Sequence, residues 1–328
     1  MTNALKIARF FLTAAGSMLL CAVAALAQPA SYPNKPIRLI MPFPAGGTPD
    51  LLARTVASQV ENLLGQNIVI DNRSGANGII AYDLAAKAQP DGYTLVHVTG
   101  SFALNTIIYK KLPYNLHRDF APVTNIAHGF GYLVLVHPSV QATTVKELIA
   151  AAKKTRLNYG SPGVGNTLQL ATELFNERAG IKMLHVPYKG VAPALAALLG
   201  GEIQFMIVAP PAGVQQVKSG QLRAIAFTGT KRWSVMPDLP TASESGLPGF
   251  DVNFMWNAWY APAKTPRAIV MRLQSAVRKA TAAPKVHDFF AQSGWEALAS
   301  TPEELDAYVK AELKRYAEAA RIANIHPH

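Results

Sequence analysis

Five short loops rich in glycine, serine and threonine contain the residues of this sequence that could bind a ligand. They span residues 42–50, 72–78, 99–101, 160–167 and 187–190, and each follows a β-like run. Glycine gives the backbone conformations that other residues avoid. A helix start presents unpaired N–H groups and a partial positive charge. Loops that open helices in this way can therefore bind an anion without a lysine or an arginine.

We predict that the ligand contacts lie in these loops. The candidates are Phe43, Pro44, Ala45, Gly46, Gly47, Thr48, Asp50, Ser74, Gly75, Ala76, Asn77, Thr99, Ser101, Ser161, Gly163, Gly165, Asn166, Thr167, Tyr188 and Lys189. Thr48 is expected to cap a helix whose first residue is Pro49. Asp50 could instead only complement the dipole of that helix. Tyr188 and Lys189 could instead pack at the rim of a crevice.

The same loops lack the residue patterns of an enzyme. Gly163 and Gly165 begin a dinucleotide-binding pattern, but Leu168 occupies its third glycine position. No Gly-x-Ser-x-Gly motif occurs, and no two histidines have the i, i+4 spacing of a helical metal site. Catalysis by acids and bases needs positioned titratable groups, whereas these loops offer N–H and hydroxyl donors. We therefore predict a binding protein without cofactor or metal ion, and keep an unrecognised hydrolase or isomerase as the alternative.

The first residues have the pattern of a secretory signal peptide. Lys6 and Arg9 precede an uncharged apolar run over residues 10–26, and Ala-Leu-Ala ends the segment at residue 27. We predict that residues 1–27 are removed and that the mature protein begins near Gln28 in the periplasm. A membrane anchor is an alternative, although the run is marginal for crossing about 30 Å of hydrocarbon. Lipid attachment at Cys21 is another.

Charge and composition argue against a nucleic-acid-binding protein. Residues 1–27 contain two of the 31 basic residues and none of the 20 acidic ones, so the remainder has a net charge of +9. The basic residues are scattered, in runs of two at most, and no zinc-finger spacing occurs. Because a basic protein attracts anions, this composition fits the steering of anionic ligands or of an acidic partner better. The predicted mature chain has no cysteine, so its stability must come from a hydrophobic core.

Short β-like runs alternate with helical runs through most of the chain. Examples are the strands predicted at residues 37–41 and 94–98 and the helix predicted at residues 167–179. This alternation indicates an α/β fold whose sheets are parallel and flanked by helices on both faces. Residues 230–249 are predicted as a long loop. Thr301 is predicted to cap a long final helix.

Seven segments resemble, in order, those of the Bug/TctC family, the binding components of tripartite tricarboxylate transporters. They are YPNKPI (32–37), PFPAGG (42–47), NRSGANG (72–78), DGYTL (91–95), VPYKG (186–190), LGG (199–201) and GQLR (220–223). The resemblance covers the whole mature chain. It implies a type II periplasmic binding protein, a Venus flytrap whose two lobes have central sheets flanked by helices. Residues 28–128 and 254–328 would form one discontinuous lobe, and residues 129–253 the other.

The resemblance also implies a ligand and a partner. Family members hold a carboxylate through backbone groups and ordered waters, so the expected ligand is a small organic carboxylate, either a di- or tricarboxylate or an aromatic acid. Val208 stands where the family often has an aspartate; we include Val208 among the candidate contacts and expect no amino-acid ligand. The expected partner is a membrane permease, and a sensor kinase is the alternative. A monomer is expected.

Overall fold

The computed structural model describes residues 32–325 and 327 and arranges their strands in two sheets. The first sheet contains β1 (Ile37–Met41), β2 (Ile68–Asn72), β3 (Thr94–Thr99), β4 (Phe120–Gly129), β10 (Trp256–Pro262) and β11 (Trp295–Ala297). The second contains β5 (Leu133–Val136), β6 (Asn158–Ser161), β7 (Leu184–Pro187), β8 (Phe205–Val208) and β9 (Arg223–Phe227). The strand orders are β11-β4-β10-β3-β1-β2 and β7-β6-β8-β5-β9. Both sheets belong to one unit, residues 36–328.

Ten α-helices in the described part of the chain connect or follow these strands. They are α1 (Thr48–Leu64), α2 (Ile79–Ala86), α3 (Gly100–Ile108), α4 (Val145–Lys154), α5 (Thr167–Ala179), α6 (Val191–Leu199), α7 (Pro210–Lys218), α8 (Arg267–Thr281), α9 (Pro284–Gln292) and α10 (Pro302–Ile322). The predicted α/β fold with two helix-flanked sheets is thereby confirmed. Among residues 32–325, none of these helices combines the length and hydrophobicity needed to cross a bilayer.

The two sheets are mixed, and the prediction of parallel sheets is wrong in this respect. Strand β1 runs parallel to β2 and β3, but β10 runs antiparallel to both β3 and β4. In the second sheet, β5 runs antiparallel to β8 and β9. A helical crossover within one sheet produces parallel neighbours. The chain instead passes from one sheet to the other after β4 and returns before β10, so these strands are not subject to that constraint.

Two helix starts test the predicted caps. At α10 the Thr301 hydroxyl accepts a hydrogen bond from the Glu304 N–H, and the Glu304 carboxylate accepts one from the Thr301 N–H, as predicted. At α1 the prediction is shifted by one residue. Gly47 is the cap in an extended conformation, Thr48 is the first helical residue, and no side chain caps the helix. Pro49 is tolerated at the second position because the first-turn N–H groups have no partner within the helix.

A cluster of aromatic rings fills the core beneath the first sheet. The ring of Phe102 packs 4.8 Å from Tyr82, 5.8 Å from Tyr114, 5.1 Å from Phe120 and 5.4 Å from Tyr260, measured between centroids. Phe102 lies on α3 directly after the loop of residues 99–101, and it is fully buried. The cluster therefore fixes the start of α3 against the sheet.

We expect Phe102→Ala to lower the free energy of unfolding by roughly 3–5 kcal/mol, because the truncation leaves a cavity among the rings. Urea denaturation would measure the change. The matched control is Phe130→Ala, because the side chain of Phe130 is 44% exposed. Equal losses in the two variants would contradict the assigned core.

Candidate functional site

A cavity of about 420 Å³ lies where loops of the first sheet meet loops of the second. The first sheet and its connections contribute Phe43, Pro44, Ala45, Gly46, Gly47, Thr48, Pro49, Leu51, Thr99, Gly100, Ser101, Phe254, Met255, Trp256, Asn257 and Trp295. The second contributes Tyr132, Pro162, Asn166, Thr167, Leu168, Gly190, Val191, Ala192, Leu195, Ala209, Pro211 and Ala212. We refer to this space as the cleft cavity.

Five helices begin at the cleft cavity. Helices α1 and α3 follow β1 and β3 of the first sheet, and α5, α6 and α7 follow β6, β7 and β8 of the second. Each start lies beyond the carboxyl end of the preceding strand, where open α/β sheets bind ligands. Helix starts present N–H groups and partial positive charge. The cleft cavity is therefore suited to an anionic group.

Ten of the predicted contacts line the cleft cavity, and the others lie outside its lining. The ten are Phe43, Pro44, Ala45, Gly46, Gly47, Thr48, Thr99, Ser101, Asn166 and Thr167. Those outside are Asp50, Ser74, Gly75, Ala76, Asn77, Ser161, Gly163, Gly165, Tyr188, Lys189 and Val208. The structure thus brings together the first, third and fourth predicted loops, but it turns several of their polar side chains away from the cavity.

Asp50 ties the first loop to its surroundings. Its carboxylate accepts hydrogen bonds from the Gly46 N–H at 2.9 Å, the Arg54 guanidinium at 2.8 Å and the Asn72 amide at 2.9 Å. Burial acts to raise the pKa of Asp50, but these donors outweigh it and hold the pKa below its ordinary value. Gly46 has a φ of 80°, a conformation that favours glycine. Asp50 therefore shapes the loop that lines the cleft cavity.

Asn77 joins a loop of the first sheet to a loop of the second. Its side-chain N–H groups donate to the Gly165 carbonyl and to the Asn105 side chain, both at 2.7 Å. Its side-chain oxygen accepts from the Asn166 amide at 3.1 Å. The Tyr109 hydroxyl adds a hydrogen bond to a carbonyl of the same second-sheet loop at 3.0 Å. We refer to these bonds of Asn77 to Gly165 and Asn166 as the cross-loop clasp.

Ser161 and Val208 are directed away from the cleft cavity for different reasons. The Ser161 hydroxyl lies 2.6 Å from the ring of His185 on β7 and 3.1 Å from the Gly163 carbonyl in its own loop, so it already has partners within the protein. Val208 is fully buried at the end of β8. Ala209 and Pro211, which follow it, supply the lining at this edge instead.

Four buried donors line the cleft cavity and have no hydrogen-bond partner among the described residues. They are the hydroxyls of Ser101 and Tyr132, the Asn257 side-chain N–H₂ and the Trp295 indole N–H. None of the four residues is more than 4% exposed. Buried polar groups in folded proteins nearly always have a partner. Four unpartnered donors in the lining of one cavity therefore indicate a place for a ligand rich in hydrogen-bond acceptors.

His97 determines which end of the Asn257 amide faces the cleft cavity. The His97 Nε2 atom lies 2.7 Å from the Asn257 side-chain oxygen. Burial lowers the pKa of His97 to about 4, so the ring is neutral near pH 7. A neutral ring must carry its proton on Nε2 to donate to that oxygen. The oxygen of the Asn257 amide is thereby occupied, and the N–H₂ group is left for the cavity.

Charged side chains are not part of the cleft cavity. Among the described lining residues there is no Lys, Arg, His, Asp or Glu. Within residues 32–325 there is also no group of three His, Cys, Asp or Glu side chains arranged to hold a metal ion. Recognition at this site therefore depends on neutral donors and apolar contacts.

The sequence-based prediction missed lining residues from β10, β11 and the helices of the second sheet. The sequence could have indicated Asn257 as a site residue, because it is the lone amide within the aromatic strand Trp256–Pro262. The sequence could not have indicated Trp295, because its three-residue strand reaches the site only by pairing with β4. Val191, Leu195 and Ala212 are apolar helix residues whose sequence pattern does not distinguish a cavity wall from a core.

A cavity lined by five helix starts between two mixed α/β sheets is the arrangement of a periplasmic binding protein. The family model described as "Tripartite tricarboxylate transporter family receptor" (TctC) matches residues 52–324. The chain therefore belongs to the TctC family, and the predicted resemblance is confirmed. It is 34% identical to the protein BugT of Bordetella pertussis, over 98% of this chain and 97% of that protein.

Solved structures agree with this assignment. An R. palustris protein solved with adipate superposes with a TM-score of 0.87 and 36% identity, covering 90% of this chain and 100% of that one. MatC from Rhodopseudomonas palustris, solved with bound malate, gives a TM-score of 0.80 and 30% identity, covering 88% and 99%. The periplasmic binding protein BugD gives a TM-score of 0.85 and 32% identity, covering 90% of this chain and 100% of that one. These neighbours and the family are solute-binding proteins, which confirms the prediction of a binding protein instead of an enzyme.

The pKa of His97 leads to a pH prediction for stability. In the unfolded chain the imidazole has a pKa near 6.5, but in the folded protein its pKa is about 4. Between these values the unfolded state binds more protons, so the free energy of unfolding should fall as pH falls from about 6.5 to about 4. The contribution of His97 should reach up to about 3 kcal/mol.

Urea denaturation at several pH values would measure this change. As the pH falls, the free energy of unfolding should decrease less for His97→Gln than for the unchanged protein. Glutamine keeps an N–H that can donate to Asn257 but does not titrate. The same decline in both proteins would show that His97 is not buried as a neutral ring.

Proposed function

We propose that this protein is a periplasmic solute-binding protein that captures a small organic carboxylate. It delivers the carboxylate to the membrane permease of a tripartite tricarboxylate-type transporter. The observation that carries the proposal is the presence of four unpartnered donors, on Ser101, Tyr132, Asn257 and Trp295, in the lining of a cavity bordered by helix starts. A carboxylate has two oxygens with about four lone pairs, and it needs such donors when it leaves water.

The proposed contacts follow from the lining of the cleft cavity. The ten predicted residues that line it contact the ligand, together with Gly100, Asn257 and Trp295. The predicted residues outside the lining act by shaping the loops, as Asp50 does through Gly46. Relatives support an acid as the ligand, because two structural neighbours were solved with adipate and with malate.

The proposed mechanism is closure of two lobes on the ligand. Residues 28–128 with 254–328 form the first lobe and residues 129–253 the second, and the grouping of strands into two sheets supports this division. The passages after β4 and before β10 would act as the hinge, and closure around a ligand is a common use of such hinges. The protein would work as a monomer.

The proposed location is the periplasm. The family and the neighbour BugD, a periplasmic binding protein, support it. Residues 1–27 would be the cleaved signal peptide and Gln28 would begin the mature chain; these residues lie outside those that the structure describes.

A thermal-shift screen of the purified mature protein tests the proposal. Mono-, di- and tricarboxylates and aromatic acids are compared with the amides of the same acids as uncharged controls. A ligand at a hundredfold excess over its Kd stabilises the folded state by about 2.7 kcal/mol. In a protein of this size that corresponds to a rise in Tm on the order of 5 °C. Rises with acids but not amides are expected, and the proposal fails if no acid raises the Tm.

The cross-loop clasp yields a second prediction. Asn77→Ala removes the hydrogen bonds that hold the two loops together beside the cleft cavity, so the closed arrangement should be less populated and the Kd of the best acid from the screen should rise about tenfold. Isothermal titration calorimetry would measure it. The control is Asn67→Ala, at an exposed position. Equal Kd values for Asn77→Ala and the unchanged protein would contradict a role for the clasp in closure.

A further inference from the structure

Two passages connect the sheets, and hydrogen bonds join these passages to each other. The first passage spans residues 129–132 after β4, and the second ends with residues 252–255 before β10. The Asn253 side-chain N–H₂ donates to the Gly129 carbonyl at 2.5 Å, and the Gly129 N–H donates to the Met255 carbonyl at 2.9 Å. A change in the backbone of one passage therefore affects the other.

Arg315 of helix α10 reaches the second passage. Its guanidinium donates to the Asn253 main-chain carbonyl at 2.5 Å, and its central carbon lies 5.0 Å from the centroid of the Phe254 ring. A cation over the face of an aromatic ring is attracted to it. Tyr308 of the same helix stacks on His128 of β4, with 4.6 Å between the ring centroids. Helix α10 is thus packed against the first sheet, and Arg315 connects it to the main chain of the second passage.

Glu312 holds the Arg315 guanidinium in place. Its carboxylate accepts a hydrogen bond from Arg315 at 2.8 Å, and the side chains of the two residues are 7% and 48% exposed. Burial raises the pKa of Glu312, and the charge of Arg315 acts against this rise. An ion pair taken out of water contributes little net stability, because the cost of desolvation offsets the attraction. The pair instead provides direction, since the planar guanidinium has donors at fixed angles, one of which points at the Asn253 carbonyl.

The bond between Arg315 and Asn253 depends on how the lobes are arranged. A hydrogen bond weakens steeply when its distance or angle departs from the favourable range. Hinge residues absorb the backbone rotations of closure, so the Asn253 carbonyl turns relative to α10 when the lobes move. The bond is present in the same structure as the cross-loop clasp, in which Asn77 contacts Gly165 and Asn166. It therefore belongs to the arrangement in which the loops of the two sheets meet.

We infer that Arg315, oriented by Glu312, is a positioning residue of the hinge, and that its bond to Asn253 favours the closed arrangement of the lobes. This inference rests on the proposed function and deepens it, because it assigns part of the free energy of closure to Arg315 and Glu312, which are not in the lining of the cleft cavity. The apparent Kd of a ligand depends on the share of the protein in the binding-competent state. The ligand therefore has to supply less of the free energy of closure.

Three variants separate the hinge contact from the stability of the fold. Removing Arg315 alone would leave the Glu312 carboxylate buried without its partner, which is strongly destabilising. The double variant Glu312→Gln/Arg315→Met instead removes both charges and the donor to Asn253 while it keeps side chains of similar length. Glu312→Gln alone keeps the arginine but removes the charge that orients it. The matched control is Arg321→Met, because Arg321 is an exposed arginine of the same helix that pairs with Glu318.

Double electron–electron resonance between two spin labels measures the arrangement of the lobes without any ligand. The predicted mature chain has no cysteine of its own, so Asn67→Cys and Lys218→Cys place one label in each proposed lobe, both at exposed positions. The labelled parent should show a population at the inter-label distance of this structure and a second, more open one. The ratio of the first to the second should fall about fivefold in the double variant, because a charge-assisted hydrogen bond of the closed arrangement is lost. It should also fall in Glu312→Gln and stay unchanged in Arg321→Met.

A ratio that the double variant leaves unchanged or raises would overturn the inference, and so would a parent without the closed population. If circular dichroism shows the double variant to be unfolded, Glu312→Gln alone decides, and an unchanged ratio in that variant overturns the inference. No ligand enters the measurement, so its result does not depend on the carboxylate screen. Failure of that screen would overturn the proposed function, whereas an unchanged ratio would leave the proposed function standing.

Discussion

The hydrogen bond between His97 and Asn257 is the interaction on which the character of the cleft cavity depends. An amide side chain can present either an acceptor or two donors, and the neutral imidazole, by donating to the oxygen, leaves the donors facing inward. Because burial lowers the pKa of His97 to about 4, the ring remains neutral and adds no charge of its own. The cavity is thereby lined by hydrogen-bond donors on neutral groups, whose hydrogen bonds are stronger in a low-dielectric interior than in water.

The loops around the cavity use their charged and amide side chains to hold their own shape. The Asp50 carboxylate is fully engaged by Gly46, Arg54 and Asn72, and Asn77 is engaged by its neighbours in the cross-loop clasp. A loop that turns near a cavity has main-chain groups without secondary-structure partners, and these groups must be satisfied. The side chains that do so already have partners, which explains why several of the predicted residues lie outside the lining of the cleft cavity.

The sequence predicted the parts of the fold that depend on local patterns. The loops after β1, β3 and β6 were identified because glycine, proline and serine interrupt apolar strands there, and all three reach the cavity. Helices α3 and α7 were not predicted, because each has only nine residues and α7 begins with two prolines. Trp295 could not be predicted as a lining residue, since only the long-range pairing of β11 with β4 carries it to the site. Its indole is nevertheless one of the four unpartnered donors in the lining of the cavity.

Proline at helix starts affects recognition by removing donors. The start of α7, which follows the uncharged Val208, would be an anion site by its position alone, but Pro210 and Pro211 lack the N–H groups that make such a site. Pro211 also exposes hydrocarbon to the cavity, so the same residue removes an anion-binding N–H group and adds apolar surface. The two walls of the cleft cavity therefore differ in kind: the start of α3 provides oriented donors and the start of α7 provides an apolar surface.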